Sequence, residues 1–281
     1  LPANLFYGTG IPACIIIIEK SEASGRKGVF MIDAKGGYIK DGAKNRLREQ
    51  DIRRIVDVWQ AQRDVPHYAR FVPMEDIERN DYNLNIPRYV SAPDTEILQD
   101  IDAHLHGGLP KHDIDQFDTY WEVCPSLCDD LFCDHPTRKG YYSLKCNPEA
   151  VRDAVTGNVD FRNQKEVFQK SFAEWCDSHR AQLYALVPGF APKKLIEQLG
   201  NSLLAVFEVD KSLVEAYDVY DSLMNYWGET MQDDCYMISS GGWTVQLYTP
   251  QPASKKKEKK AATPEDVVCD LLPVPIVIDE Y

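Results

Sequence analysis

Five basic side chains lie close together in this sequence, and their chemistry would be the neutralisation of phosphate. They surround a loop rich in glycine and lysine and the start of a predicted helix, and they are Lys35, Lys40, Lys44, Arg46 and Arg48. Lysine and arginine hold phosphate without reading base sequence, so this group could position nucleic acid beside a cleft. Backbone N–H groups at the helix start, near Asn45, could face the same anion. A solvated charged loop explains these residues equally well.

Four cysteines and a histidine present a second possible chemistry, the binding of zinc: Cys124, Cys128, Cys133, Cys146 and His135. Structural zinc sites use two tight pairs of ligands, and only the first two cysteines have an allowed spacing. The second pair is too widely spaced, so we predict buried thiols and no metal site. Nor does a histidine at local spacing make any cysteine a candidate nucleophile.

The composition limits the classes of function. A net charge of −13 over 281 residues argues against wholesale wrapping of nucleic acid, although a local basic patch remains compatible. Eight cysteines spread over a chain of this length do not suggest a disulfide scaffold. The longest apolar run, Ile11–Ile18, is far shorter than the roughly 20 residues of a membrane-spanning helix. We therefore predict a cytoplasmic protein that does not enter a membrane.

The first third of the chain alternates β and α patterns, which indicates the edge of an α/β sheet. The isoleucine run of Ala13–Glu19 predicts a strand covered on both faces, and Val29–Ile32 predicts a second strand that forms a hairpin with it. Helices are predicted over Arg48–Trp59 and Met74–Arg79. The alternation over Tyr82–Val90 suits another strand.

The rest of the chain is mainly helical by its apolar periodicity. Long helices are predicted over Asp160–Leu186, over Pro192–Phe207 with a proline start, and over Ser212–Met231. Composition changes near residue 92, which is a plausible domain boundary, and the lysine-rich tract around Lys255–Lys260 predicts a flexible linker over about 251–263.

Three blocks, in this order, carry a resemblance to a known family: LPANLFYGTGIPACIIIIEK, GVFMIDAKGGYIKDGAKNRLREQDIRRIVD and NDYNLNIPRYV. With them the sequence resembles the modification (methyltransferase) subunit of type I restriction-modification systems, an N6-adenine DNA methyltransferase. The resemblance is dense over Leu1–Val90 and looser over the rest. It implies that residues 1–92 end a Rossmann-like methyltransferase sheet and that residues 93–281 form a helical assembly domain.

The motifs with which this family binds its methyl donor and target amine do not occur in the 281 residues. There is no Asn-Pro-Pro or Asp-Pro-Pro, and no glycine-rich loop of the D-x-x-x-G-x-G type. The resemblance therefore implies a C-terminal fragment of a subunit whose intact form transfers methyl from S-adenosylmethionine to adenine N6. The fragment by itself is expected to hold no catalytic residue, to be inactive and to bind no S-adenosylmethionine.

The resemblance also implies a role for the aromatic pair Phe6 and Tyr7. A base must leave the duplex before its N6 can be methylated, and an aromatic ring, here Phe6, replaces the lost stacking. Gly8 and Gly10 would let the backbone approach DNA closely. On the sequence alone, the core of a hairpin is the favoured place for both aromatics; the resemblance favours stacking for Phe6 and leaves the two interpretations open for Tyr7.

The partners that the resemblance implies are double-stranded DNA, the restriction subunit and the specificity subunit, whose coiled-coil helices would pack on the helical region. Two alternatives stand beside it. One is a non-enzymatic helical assembly module on a small α/β scaffold. The other is a zinc-stabilised nucleic-acid module.

Overall fold

The computed structural model describes residues 1–21, 25–91, 99–209, 212–244, 247–248, 268–269 and 271. The chain divides into two compact units. The first consists of Leu1–Glu122 and Cys128–Ala154, and the second of Val123–Leu127 and Val155–Tyr281. The predicted domain boundary at residue 92 and the predicted linker over 251–263 lie outside the described residues.

The core of the first unit is an antiparallel strand pair. β1 (Gly28–Ile32) pairs with β4 (Ala69–Pro73), with Phe30 opposite Phe71. Met31 and Val72 face a buried cluster that also takes in side chains of the following segment: Ile77, Tyr89 and Val90. The β-branched and aromatic residues of both strands favour this half-buried surface.

A small hairpin and a long helix lie between these two strands in sequence. β2 (Ile39–Asp41) pairs with β3 (Lys44–Arg46), and α1 (Glu49–Ala61) follows. Arg48 is the N-cap of α1, and its backbone N–H donates to the carboxylate of Asp51 in the first turn of the helix. After β4, α2 (Met74–Arg79) and a 3-10 turn (Ile86–Arg88) complete this part.

The remaining elements from residue 99 to residue 157 are short. The helices are α3 (Ile101–His106), α4 (Lys111–Asp115), α5 (Asp118–Val123), α6 (Pro125–Leu131), a 3-10 turn (Pro148–Ala150) and α7 (Val151–Gly157). The strands β5 (Leu109–Pro110), β6 (Phe132–Asp134) and β7 (Tyr141–Leu144) form a three-stranded antiparallel sheet in the order β5-β7-β6.

The second unit is a helical assembly. α8 (Val159–Tyr184) packs on α9 (Pro192–Phe207), and α9 packs on α10 (Ala216–Tyr226). A π-helical turn (Trp227–Met231) joins α10 to α11 (Gln232–Gly241). The buried face of α9 repeats every three to four residues, as an amphipathic helix requires, through Leu195, Ile196, Leu199, Leu203, Leu204 and Phe207. β8 (Leu247–Tyr248) pairs with β9 (Val268–Cys269).

Several predicted elements are confirmed, and they are those with strong periodicity or a clear start signal. The predictions for α2 and α9 agree with the structure residue for residue, because proline ends the preceding strand at α2 and opens α9. The predictions for α1, α8 and β1 are confirmed within a few residues at each end.

Two predicted strands are wrong. Ala13–Glu19 forms no strand, and its Ile15–Ile18 side chains are 64–81% exposed. A strand needs backbone partners on a neighbouring strand, and none of the described residues pairs with this segment. β1 therefore pairs with β4 and not with the isoleucine run. Tyr82–Val90 is also not a strand, because Asp81 and Tyr82 have positive φ and a 3-10 turn follows.

Every described strand pairing is antiparallel. The described residues thus form a mixed α/β chain with mainly helical content and small sheets. Within the same residues, no helix has the combination of length and apolar character that crossing a bilayer requires.

The closest backbone approach in the first unit predicts the effect of adding one methyl group. A Cβ at Gly28 would overlap the carbonyl oxygen of Val72, which belongs to the backbone of β4 and cannot rotate away. We expect Gly28→Ala to separate β1 from β4 and to lower the free energy of unfolding by about 1–3 kcal/mol. The measurement is urea unfolding followed by circular dichroism.

Gly25→Ala is the matched control, because a Cβ there meets no atom within 4 Å. Equal midpoints for the two variants would contradict the close approach of the two strands.

Candidate functional site

The loop that carries the predicted aromatic pair is held by β3. The backbone N–H of Asn45 donates to the carbonyl oxygen of Asn4 (3.0 Å), and Asn45 Nδ2 donates to the carbonyl oxygen of Ala3 (2.8 Å). Pro2 is fully buried. The loop has no regular secondary structure, so these contacts anchor its N-terminal end, from which residues 5–10 continue.

Phe6 and Tyr7 both lie away from the hydrophobic core. The Phe6 side chain is 53% exposed and that of Tyr7 is 91% exposed. The interpretation that they are core aromatics of a hairpin is therefore wrong. An aromatic ring with an open face can stack on a flat ligand, which is the role that the resemblance implies for Phe6 and leaves open for Tyr7.

One face of the Tyr7 ring is already occupied. The Nζ atom of Lys44, on β3, lies 2.8 Å from the centroid of the Tyr7 ring. This Nζ is buried, and it has no hydrogen-bond partner among the described residues. The ammonium group is stabilised by the π-electrons of the ring, a cation–π interaction.

The other predicted phosphate contacts are mostly satisfied within the chain. Three of the five basic residues form ion pairs with nearby carboxylates: Lys35 with Asp33 (2.8 Å), Arg46 with Asp41 (3.4 Å) and Arg48 with Asp51 (2.9 Å). The Asp51 carboxylate also accepts the backbone N–H of Arg48, so it lies directly at the start of α1 and disfavours an external anion there. Lys40 has an exposed side chain on β2.

The two glycines of the loop differ in what they require. Gly8 has φ of +79°, a left-handed backbone conformation that side chains disfavour, and open space surrounds it. At Gly10 a Cβ would lie 3.2 Å from the side-chain oxygen of Asn4, so this glycine lets the loop close on itself. Gly8 thus leaves one side of the loop free for a ligand.

The first unit also contains a polar network that the sequence did not reveal. The Arg138 guanidinium pairs with Asp102, lies 3.7 Å from the Tyr141 ring centroid and contacts the carbonyl of Gly107. Tyr141 Oη donates to Asp100 (2.8 Å). Hydrogen bonds from the Ala103 backbone and from Tyr141 lower the pKa of Asp100. About forty residues separate the partners in sequence, so no local spacing could have indicated the network.

The second unit pairs a serine with a histidine, as nucleophiles and bases are paired in hydrolases. Ser202 Oγ lies 3.0 Å from His179 Nε2, and His179 Nδ1 lies 2.8 Å from the carbonyl oxygen of Trp175. The indole N–H of Trp175 donates to the same Ser202 Oγ (2.8 Å). Since that oxygen accepts this bond between two packed helices, the arrangement fastens α8 to α9 and does not present a nucleophile.

The prediction of buried thiols is confirmed for Cys124 and is wrong for Cys133, which is exposed, while Cys128 and Cys146 are half-buried. Cys124 is buried, and burial raises the pKa of its thiol. Burial also raises the pKa of Cys235 to about 11. Raised pKa values make these thiols poor nucleophiles at neutral pH. No group of three His, Cys, Asp or Glu side chains within the described part of the chain is arranged to hold a metal ion.

The aromatic loop and the strands around it lie in a segment that is similar to known proteins. Residues 1–97 match the N-6 DNA Methylase family model. The matched segment contains the aromatic loop, the strands β1 to β4 and both helices of that region.

Similar proteins carry the same description. The chain is 38% identical over 106 residues to the methylase subunit of the type I restriction enzyme MjaVII of Methanocaldococcus jannaschii, covering 36% of this chain and 18% of that protein. It is 36% identical over 104 residues to the HindI methylase subunit of Haemophilus influenzae, covering 34% of this chain and 23% of the relative. The chain thus spans about a fifth of the length of these relatives.

A solved structure is also similar in sequence. It is the methyltransferase subunit of a type I restriction-modification system from Streptococcus thermophilus, with 36% identity and a TM-score of 0.31. The likeness covers 33% of this chain and 19% of that one. The resemblance of the N-terminal third to type I modification subunits is confirmed by the family model and by the two methylase subunits, whereas the looser resemblance of the helical region stays a prediction.

The hydrogen bonds of Asn45 generate a prediction about the loop. We expect Asn45→Ala to remove the bond to Ala3 and to increase local opening of residues 3–10. A net hydrogen-bond contribution of about 0.5–1.5 kcal/mol corresponds to amide exchange that is about two- to tenfold faster. Hydrogen–deuterium exchange at the Phe6 and Tyr7 amides measures the effect.

Lys40→Ala is the control, since Lys40 lies opposite Asn45 in the hairpin and has an exposed side chain. Unchanged exchange in Asn45→Ala would show that the side chain of Asn45 does not hold the loop.

Proposed function

We propose that this chain is part of the modification subunit of a type I restriction-modification system and that its N-terminal loop faces the target base. The observation that carries the proposal is the match of residues 1–97 to the N-6 DNA methylase family. The exposure of Phe6 and Tyr7 on a loop fixed by β3 supports it. The intact subunit would transfer a methyl group from S-adenosylmethionine to adenine N6.

The contribution of the loop would be to hold a base that has left the duplex. Extrusion of a base costs its stacking and pairing energy, and an aromatic face recovers part of that cost. Stacking of a base on an aromatic side chain contributes about 1–3 kcal/mol in single-strand binding proteins. Phe6 would provide this face, Gly8 would keep the space beside it open, and Lys40 would be free to contact a phosphate.

Residues outside this sequence would supply the methyl donor site. The 281 residues contain neither the Asn-Pro-Pro motif nor the donor-binding glycine loop of the family. In the proposal, another part of the complete subunit covers the isoleucine run of residues 13–19, which forms no strand in this chain. The high exposure of the Ile15–Ile18 side chains supports this, because a contiguous exposed apolar patch marks a surface that another segment or protein covers.

The helical region would bind other subunits. Several apolar side chains of α8 are exposed, among them Val159, Val167, Phe172 and Tyr184, and they would pack on helices of the specificity subunit. The restriction subunit and double-stranded DNA would complete a complex in the cytoplasm. In this proposal the methyltransferase part ends near residue 92, and residues 93–281 serve assembly.

Donor binding tests the assignment of the cofactor site. We expect the 281-residue chain alone to show no S-adenosylmethionine binding in isothermal titration calorimetry, because the donor loop is not part of it. The complete subunit from the same gene serves as the positive control. Micromolar affinity of the 281-residue chain for the donor would contradict the proposal.

The aromatic loop is tested in the complete subunit. We expect Phe6→Ala to slow adenine methylation by about five- to a hundredfold, since roughly 1–3 kcal/mol of stacking is lost. The affinity for S-adenosylmethionine should not change. The recognised DNA sequence is first identified from the methylated adenines of cellular DNA. Methylation is then measured as the transfer of tritium from labelled S-adenosylmethionine to duplexes that carry this sequence.

Phe71→Ala is a control for lost aromatic surface, because Phe71 is partly exposed on β4. Unchanged methylation by the Phe6 variant would remove Phe6 from the base-binding role.

A helical assembly module without methyltransferase chemistry is the second candidate. It is favoured by one observation: the similarity to the relatives covers about a third of this chain and leaves most of the helical unit unmatched. The gene sequence upstream of the codon for Leu1 decides between the two. An Asn-Pro-Pro motif and a donor loop encoded there support the enzyme, and their absence supports the module.

A further inference from the structure

The Lys44–Tyr7 pair is unusual because the lysine lies on one face of an otherwise exposed ring. Tyr7 is 91% exposed, while the Nζ atom of Lys44 is buried 2.8 Å from its ring centroid. Most surface lysines keep the ammonium group in water. Here the ammonium group is withdrawn from water and is stabilised by the ring.

The position of Lys44 is set by the same strand that holds the loop. Lys44 lies opposite Asp41 in the β2–β3 hairpin, and its neighbour Asn45 makes both hydrogen bonds to residues 3 and 4. The strand that carries Lys44 is therefore fixed, and the loop that carries Tyr7 is anchored to the same strand three residues before the ring. As a result, Lys44 restricts the Tyr7 ring from beneath, and the opposite face of the ring is left to solvent.

We propose that Lys44 is a positioning residue that makes Tyr7 a one-sided stacking platform for an unpaired nucleobase of the bound DNA. The inference rests on the proposed function and deepens it, because it adds a second aromatic face beside Phe6. A cation beneath the ring draws π-electron density towards itself, and the outer face then favours an electron-rich partner. A purine base is such a partner, and a cationic side chain is not.

The proposal assigns Lys44 a role different from that of a phosphate contact. In its observed position the Nζ atom is covered and cannot reach a phosphate without leaving the ring. Lys40, exposed on the neighbouring strand, is free to do so. The two roles differ in salt dependence, because each lysine–phosphate contact that is lost reduces the slope of log K against log salt by about one.

The experiment compares variants in the complete subunit, bound to duplexes that carry the target adenine or an abasic sugar at that position. The variants are Lys44→Met, Lys44→Arg, Tyr7→Leu and the double variant Lys44→Met with Tyr7→Leu. Lys27→Met is the control for net charge, because Lys27 is exposed and precedes β1. DNA affinity is measured at several salt concentrations.

We expect Lys44→Met and Tyr7→Leu each to weaken binding of adenine-containing DNA by about three- to tenfold. The double variant should be no weaker than Tyr7→Leu alone, because the two side chains act as one unit. On abasic DNA the variants should bind as tightly as the wild type, and the slope of log K against log salt should stay unchanged. Lys44→Arg should retain wild-type affinity, since arginine can also place a cation over the ring.

Other outcomes overturn the inference. If the losses of DNA affinity in the two single variants add up in the double variant, and the salt slope falls on both the adenine and the abasic duplex, Lys44 is a phosphate contact. If Lys44→Met binds DNA with full affinity, Lys44 has no role in binding. Either result leaves the proposed function intact if Phe6→Ala still slows methylation. Absence of methylation by the wild-type subunit would instead overturn the proposed function.

The geometry itself is tested in the 281-residue chain without DNA. The ε-methylene protons of Lys44 should resonate upfield of those of other lysines in spectra of ¹³C-lysine-labelled protein, because the Tyr7 ring shields them. Tyr7→Leu should remove the shift. An unshifted Lys44 signal in the wild-type chain would contradict the contact on which the inference rests.

Discussion

Two hydrogen bonds from Asn45 determine the geometry of the candidate site. They join β3 to residues 3 and 4, so the loop with Phe6 and Tyr7 takes its position from a strand about forty residues away in sequence. The hairpin that contains Asn45 also supplies Lys44 and Lys40. One short antiparallel pairing thus places the aromatic rings and the two basic side chains most relevant to them.

Charge within the first unit is largely balanced locally. Asp33, Asp41 and Asp51 each accept an ion pair from a basic residue that could otherwise bind phosphate. Exposed ion pairs contribute little to stability, but they reduce the local positive potential. Together with the net charge of −13, this pairing weakens the attraction of this surface for phosphate. Phosphate binding in a complex would fall mainly to other residues or subunits.

The second unit combines a buried apolar core with exposed apolar side chains. Leu199 and Leu203 are almost fully buried on α9, whereas α8 has no fully buried residue along its 26-residue length. The bond between Trp175 and Ser202 specifies how these two helices meet. α8 is therefore fastened to the core on one side, while its other apolar side chains remain available to a partner helix.

The sequence by itself determined the elements whose signals are local. The proline that opens α9 and the apolar periodicity of α1 and α8 depend on neighbours within a turn or two, and these helices agree with prediction. The resemblance of the first third also followed from sequence alone, because three ordered blocks of residues carried it.

Tertiary structure decided the pairing of strands and the surroundings of side chains. The isoleucine run has the composition of a buried strand, yet it is exposed because backbone pairing depends on a partner strand and not on composition. Likewise, a list of lysines could not tell Lys35, paired with a carboxylate, from Lys44, which lies beneath an aromatic ring, because that difference depends on contacts between residues distant in the chain.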